Sequence, residues 1–482
     1  MGELQRASLA VMALTDIGFS VAAYRGSKPR PDNWHSIGVY LDCSLLSISL
    51  LKEAAYMTLT LRLLASAAAV FLVIALAIGL SAQQKPNFST DSEEQYQALA
   101  EAMKHCSYSI SLQDGVLLGP GMQFLVRSTG NSQFVLFGEE HNVKEFPEFL
   151  TALFAFLHQN HNFNYLALES DPVSAHVASI APLRGDAQAL AEYIKKYPNA
   201  MTFRTDQELR MLADVGRLST GRGDAIWGLD QSFGVLHALD RLASLPGFLS
   251  TPKFEELHRQ AEQLDSTRLH EHSHYIEDVN LVDLEELRRQ IPAPEESEAK
   301  FILDNLVSSS QIYGFYRRAQ AGEFTAYSNG LVREEQMKHL FMREYRAAEA
   351  LGERNPRVLV KLGHWHVFRG QGPSHLQTLG NFVTEFATAN GTEAFSVGVY
   401  LRGAWRDVKT QKGLEPIALA TAPSAWTIID FQSLRPPVAA GQFGTLNSKL
   451  LAHIYGFDAA LVLGGASSGT DSLFDTRVQQ PH

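Results

Sequence analysis

Four separated segments of the chain end an apolar run on residues that can hold or move a proton. Residues 133–137 (QFVLF) lead into Gly138-Glu139-Glu140-His141 and residues 165–168 (YLAL) into Glu169. Residues 225–229 (AIWGL) lead into Asp230, and residues 357–362 (RVLVKL) into Gly363-His364-Trp365-His366. Short apolar runs of this kind read as buried strands, and in an open parallel sheet ligands bind at the carboxyl ends of the strands. A single carboxylate at such an end is ordinarily a cap or turn residue. Four segments aiming Glu139, His141, Glu169, Asp230, His364 and His366 at one edge point instead to a site. Two chemistries suit that set. A carboxylate can orient an imidazole so that it takes a proton from water, and imidazole with carboxylate can hold zinc, iron or manganese. Spacing leaves both open. His366 lies two residues beyond His364, so a continuing strand would put the pair on one face and a turn after Gly363 would separate them.

The elements between these runs set the expected fold. Apolar residues recur at helical spacing over residues 146–159 and again over 205–218, and a helix is expected near 93–104. Strand, helix, strand is the parallel-sheet unit. Residues 394–401, 426–430 and 459–463 supply further strands, whereas residues 234–350 are almost wholly helical in pattern. The expectation is an α/β domain over residues 83–465, with a mostly parallel central sheet flanked by helices and a helical lobe inserted at about 234–350. Residues 466–482 read as a flexible tail.

Composition narrows the function classes. The 482 residues are 45% hydrophobic and 19% charged, which is globular. Lys and Arg number 41 against 52 Asp and Glu, a formal charge of −11 with the basic residues scattered, so no nucleic-acid partner is expected. Cys43 and Cys106 are the two cysteines, which excludes a disulfide framework and a thiolate zinc site. Residues 63–82 (LLASAAAVFLVIALAIGLSA) follow Arg62 and precede a polar start. This is the pattern of a signal peptide cleaved near Ala82, with an uncleaved anchor as the competitor. Export to the periplasm or outside is expected, with membrane contact only through that segment. Residues 1–56 read as an N-terminal extension ahead of a start at Met57.

The run Phe137-Gly-Glu-Glu-His-Asn-Val-Lys-Glu-Phe146 resembles the signature of the erythromycin esterase family. Its shorter Gly-Glu-x-His form is similar to the haem-binding ChaN-like and TIKI/TraB relatives. Glu169 matches the family's second acidic position, and the segment from Thr202 to Leu212 is similar to its Thr and Glu-led helix. Gly228-Leu-Asp230 resembles a Gly-x-Asp strand end, Arg333-Glu-Glu-Gln-Met337 an Arg-x-x-x-Met element, and Gly363-His364-Trp-His366 the last histidine motif. These matches fall in one order across residues 133–370. The histidine comes one residue sooner after Gly-Glu than in the esterases, and Asn142-Val143 stands in place of Gly-Thr.

The resemblance implies an exported hydrolase of an ester, lactone or peptide-like small molecule. In it His141 is the general base, Glu139 and Glu169 orient it, His364 faces it as acid/base or oxyanion donor, and Arg333 adds positive charge. The alternative it implies is a haem- or metal-binding protein without turnover, with Glu139, His141, Glu169, Asp230, His364 and His366 as metal-ligand candidates.

Other features read as structural. His270, His272 and His274 form an exposed polar segment, since on a helix only one pair shares a face. Tyr313, Phe315 and Tyr316 have the spacing of a helix burying one side. Gly464-Gly465 lacks the rest of a phosphate loop.

Overall fold

The computed structural model describes residues 88–473, apart from 202, 222, 268–274, 296 and 373. The apolar run at 63–82, the extension before it and the histidines at 270, 272 and 274 lie outside the described residues. Among the described residues no helix is long and apolar enough to cross a membrane.

The strands are β1 (Ser107–Gln113), β2 (Val116–Leu118), β3 (Ser132–Glu139), β4 (Phe163–Leu168), β5 (Ile226–Gly228), β6 (Arg357–Gly363), β7 (Glu393–Arg402), β8 (Trp426–Asp430) and β9 (Ala459–Gly464). They form a nine-stranded sheet in the order β2-β1-β8-β9-β7-β3-β6-β4-β5. From β9 to β5 every pairing is parallel, while β8 runs antiparallel to β9 and the β1–β2 hairpin closes the far edge. The α/β class, the mostly parallel sheet and the flanking helices are as expected.

The hairpin was not expected, because Ser107–Gln113 (SYSISLQ) carries too few apolar residues to read as a buried strand. Its signal was the turn. Asp114 and Gly115 both have positive φ, at 48° and 76°, and an Asp-Gly pair in that conformation matches the twist of a two-residue hairpin.

Alternation along the central strands divides the core into two layers. Val135 and Phe137 of β3, with Leu166, Leu168 and Leu359, pack against the helices Glu145–His161 and Asp206–Leu218. Phe134 and Leu136, with Tyr165, Val358, Val360 and Leu362, pack on the other face. The helix Ala326–Ala350 covers that second face through Met337, Phe341 and Tyr345. A third cluster, built from Leu239, Leu257, Leu284, Leu287, Ile302 and Leu306, is the core of the helical lobe. Tyr313 is buried there while Tyr316 is exposed, as one-sided helical spacing requires.

The segment after β9 departs from the flexible-tail expectation over its described part. The backbone of residues 467–470 pairs with the loop after β3: Lys144 N–H donates to the Ser467 carbonyl at 2.9 Å and Gly469 N–H to that of Asn142 at 2.9 Å. The buried Asp206 carboxylate accepts from Leu473 N–H at 2.8 Å, Ser472 N–H at 3.0 Å and the Thr470 hydroxyl at 2.7 Å. The segment is held because it supplies donors to a carboxylate at a helix start, a contact without periodicity in sequence. Asp206→Ala should cost about 1–2 kcal/mol and open residues 466–473 to protease. Melting and limited proteolysis test this, and an unchanged digestion pattern would show that other contacts hold the segment.

Candidate functional site

The two faces of the sheet deliver two charged groups that meet at the carboxyl end of β6. On the first face, Glu139 ends β3 and Lys361 stands in β6, where its backbone pairs with that of Phe137. Both side chains are almost fully buried. Lys361 Nζ lies 2.6 Å from Glu139 Oε1 and 3.0 Å from Oε1 of Glu208, which arrives from the Asp206–Leu218 helix. Glu139 Oε1 is in turn 3.3 Å from His141 Nδ1. Phe203 stacks on the His141 ring at 4.4 Å and has Lys361 Nζ 5.3 Å from its own ring centre.

On the second face, Glu169 follows Leu168 by one residue and so points to the opposite layer, towards the Ala326–Ala350 helix. Arg333 of that helix donates from Nη2 to Glu169 Oε1 at 2.7 Å and from Nε and Nη2 to Asp230 at 2.8 and 2.6 Å. His366 Nε2 lies 3.6 Å from Glu169 Oε1, and its Nδ1 lies 2.6 Å from Oε1 of buried Glu334.

Gly363 joins the halves. Its N–H donates to Glu169 Oε2 at 2.5 Å. A Cβ built there would come within 3.0 Å of Glu169 Oε2 and 3.2 Å of His141 Cε1, so the carboxylate and the imidazole flank one small space that the missing side chain leaves open. The backbone at Gly363 has φ −58°, which alanine adopts freely. Gly363→Ala should therefore leave the melting temperature nearly unchanged and lower turnover at least about tenfold by displacing the facing groups. Undiminished kcat in that variant would show that the space is unused.

Burial opposes charge at each of these groups, and at Glu139, Glu169, His141 and His366 the partners overcome it. Burial disfavours the Glu139 anion, yet Lys361 and His141 hold its carboxyl below the usual carboxylate range. Burial likewise opposes the Glu169 anion, and His366, Arg333, His141 and the Gly363 N–H push its carboxyl far down. Burial of His141 would lower its imidazole, but the Glu139 carboxylate outweighs that and raises it above 6.5. His366 is raised in the same way against burial, by Glu169 and Glu334. Glu208 moves up, because burial and the Glu139 charge exceed the attraction of Lys361. One lysine between two carboxylates thus holds the Glu139 carboxyl below that of Glu208.

The structure brings Glu139, His141, Glu169, Asp230, Arg333 and His366 into one connected network. His364 is placed differently from the expectation that it faces His141 across the cleft. Strand β6 ends at Gly363 and a short 3-10 turn, His364–His366, sends the two histidines apart. The His364 ring lies among Tyr400, Phe457 and His453, with centroids 5.0, 5.3 and 5.9 Å away. It is His366 that approaches Glu169.

The expected metal set is not assembled either. Among the described residues no group of three or more His, Cys, Asp or Glu is disposed to hold a metal ion. The physical reason is that resident cations already take the carboxylate oxygens: Lys361 on Glu139, and Arg333 on both Glu169 and Asp230. With those oxygens paired to Lys361 and Arg333, the donor set does not fit a metal centre.

Lys361, Glu208, Phe203 and Glu334 were not singled out in the sequence. A signal existed for the first. A lysine inside the otherwise apolar strand RVLVKL has to be paired when both faces of the sheet are covered.

No protein-family model and no curated protein matches the sequence. Among solved structures, a succinoglycan biosynthesis protein is similar with a TM-score of 0.53 at 12% identity, over 79% of this chain and 100% of that one. A Bacillus cereus protein gives 0.51 at 12% identity, over 78% and 98%. At such identities the likeness is one of fold. An erythromycin esterase, EreC, in its open conformation gives 0.46 at 14% identity, over 73% and 95%. The fold is the α/β arrangement expected from the alternation of strands and helices along the chain.

Proposed function

We propose that the chain is an exported hydrolase of the erythromycin esterase and ChaN-like superfamily, in which His141 activates water for attack on an ester, lactone or peptide-like carbonyl. The observation that carries this reading is the line Lys361, Glu139, His141, which faces Glu169 across the space at Gly363. His141 is the half-exposed member of an otherwise buried group, its side chain 34% accessible. Solvent and substrate reach it while its partners stay dry. Glu139 Oε1, 3.3 Å from Nδ1, sets its charge against that side of the ring, which leaves Nε2 to take the proton. Fixed by Arg333 and the Gly363 N–H, Glu169 stabilises the imidazolium that forms. Arg333 and His366 supply positive charge on the far side, suited to a developing oxyanion.

The test is an esterase, lactonase and peptidase screen of the full chain beside His141→Ala, with a haem titration on the same preparations. Turnover lost in the variant supports the assignment. A Soret shift without turnover in the parent would replace it by the haem-binding reading.

A further inference from the structure

The described segment after β9 runs between two of the elements that frame His141. On one side it follows the loop after β3. Val143 pairs with Ser468 in an antiparallel bridge, and Gly469 N–H donates to the Asn142 carbonyl at 2.9 Å. The Glu145 carboxylate accepts from Ser467 N–H at 2.9 Å and from the Ser467 hydroxyl at 2.6 Å. On the other side it follows the start of the Asp206–Leu218 helix. Asp206 N–H donates to the Thr470 carbonyl at 2.6 Å, and Gln207 exchanges two hydrogen bonds with Thr470 at 3.0 and 3.1 Å. Gly469 lies so close to Thr205 that a Cβ there would come within 2.4 Å of the threonine methyl. Ala466 and Leu473, at the two ends, pack on the first core layer.

Both sides bear on one ring. Asn142 directly follows His141 and has φ 62°, a backbone conformation that a residue with a side chain keeps where its surroundings fix it. The Gly469 N–H on its carbonyl is such a contact. Phe203, two residues before Thr205, stacks on the imidazole at 4.4 Å. Glu208, in the helix that Thr205 opens, shares Lys361 with Glu139. Residues 467–470 thus tie the loop that carries His141 to the segment that carries its stacking partner.

We infer that residues 467–470 are a positioning strap for His141, holding the Asn142 backbone in its left-handed turn and the imidazole against Phe203. The strap acts through the backbone on either side of the ring. Its effect on rate rests on the reading of His141 as the base, whereas its effect on the ring's position does not. A misplacement of about 1 Å can cost about 10²-fold in rate, so the strap would matter to kcat more than to KM.

The test is the histidine-ring NMR spectrum of the full chain, with the His141 signal found by its loss in His141→Ala. Stacking on Phe203 shields the His141 ring protons, so the parent signal should lie upfield of an open imidazole. Gly469→Pro has no N–H for the Asn142 carbonyl. It should move the signal downfield and, on any substrate the parent hydrolyses, lower kcat about tenfold with KM kept. Ser472→Ala loosens the strap at Asp206 alone and should lower the melting temperature while leaving the signal in place. The inference is overturned if the signal is unmoved in Gly469→Pro, or if Ser472→Ala moves it as far. Should circular dichroism show that Gly469→Pro does not fold, Gly469→Ala decides, because its Cβ must displace the strap or Thr205: an unmoved signal there overturns the strap. A parent without turnover would remove the hydrolase reading, and the ring signal would still decide this one.

Discussion

Lys361→Met should destabilise the fold by about 3–5 kcal/mol at neutral pH, the usual result of removing one partner from a buried charge group. Methionine fills the same volume, so loss of packing contributes little. What remains is Glu139 and Glu208, both buried on the first face of the sheet with no cation between them. The penalty should depend on pH in a defined direction. Glu139 has its folded carboxyl held below the ordinary value of 4.5. The stability it contributes is therefore complete above that value and is lost as pH falls through the depressed folded value. Lys361 is raised above 10.5, so its contribution is complete below that value and fades as pH rises through the folded one. The parent's advantage over the variant should thus be a plateau between those limits and shrink in acid, where the variant's carboxylates protonate. Denaturant melts across pH measure it. A penalty equally large in acid would mean that Lys361 acts through packing.

The second large effect is on rate. His141→Ala should reduce kcat/KM by about 10²–10⁴-fold, the range of a general base, with stability little changed because the ring is partly exposed and stacks on a single phenylalanine. The pH profile separates catalysis from simple binding. A base works in its neutral form, and Glu139 raises His141 above 6.5. Activity should therefore climb through an apparent pKa on the alkaline side of the ordinary histidine value. Glu139→Gln removes the main cause of that rise, so the limb should move to lower pH while the maximum rate drops. A profile that stays flat from about pH 5 to 9 would eliminate His141 as the titrating base.

Much of this arrangement was readable along the chain, and the gaps have a common cause. The seven strands expected at residues 133–137, 165–168, 225–229, 357–362, 394–401, 426–430 and 459–463 all form; six are parallel strands, which need continuous apolar runs when both faces are covered, and the one at 426–430 pairs antiparallel. Glu139, Glu169 and Asp230 were visible as the polar residues on which such runs stop, and the sheet's direction then carried them to one edge. The β1–β2 hairpin was hidden because an edge element buries little and alternates with serines.

Local sequence settled the order of the strands along the chain and the acids or histidines that follow four of them, since periodicity and turn chemistry act over a few residues. Tertiary contact decided the charge state and the partners: Lys361 between Glu139 and Glu208, Arg333 between Glu169 and Asp230, and His366 rather than His364 beside Glu169. Those pairings join positions up to 222 residues apart. They depend on which face of the sheet each side chain takes and on a single turn after Gly363, and neither has a periodic trace in the chain.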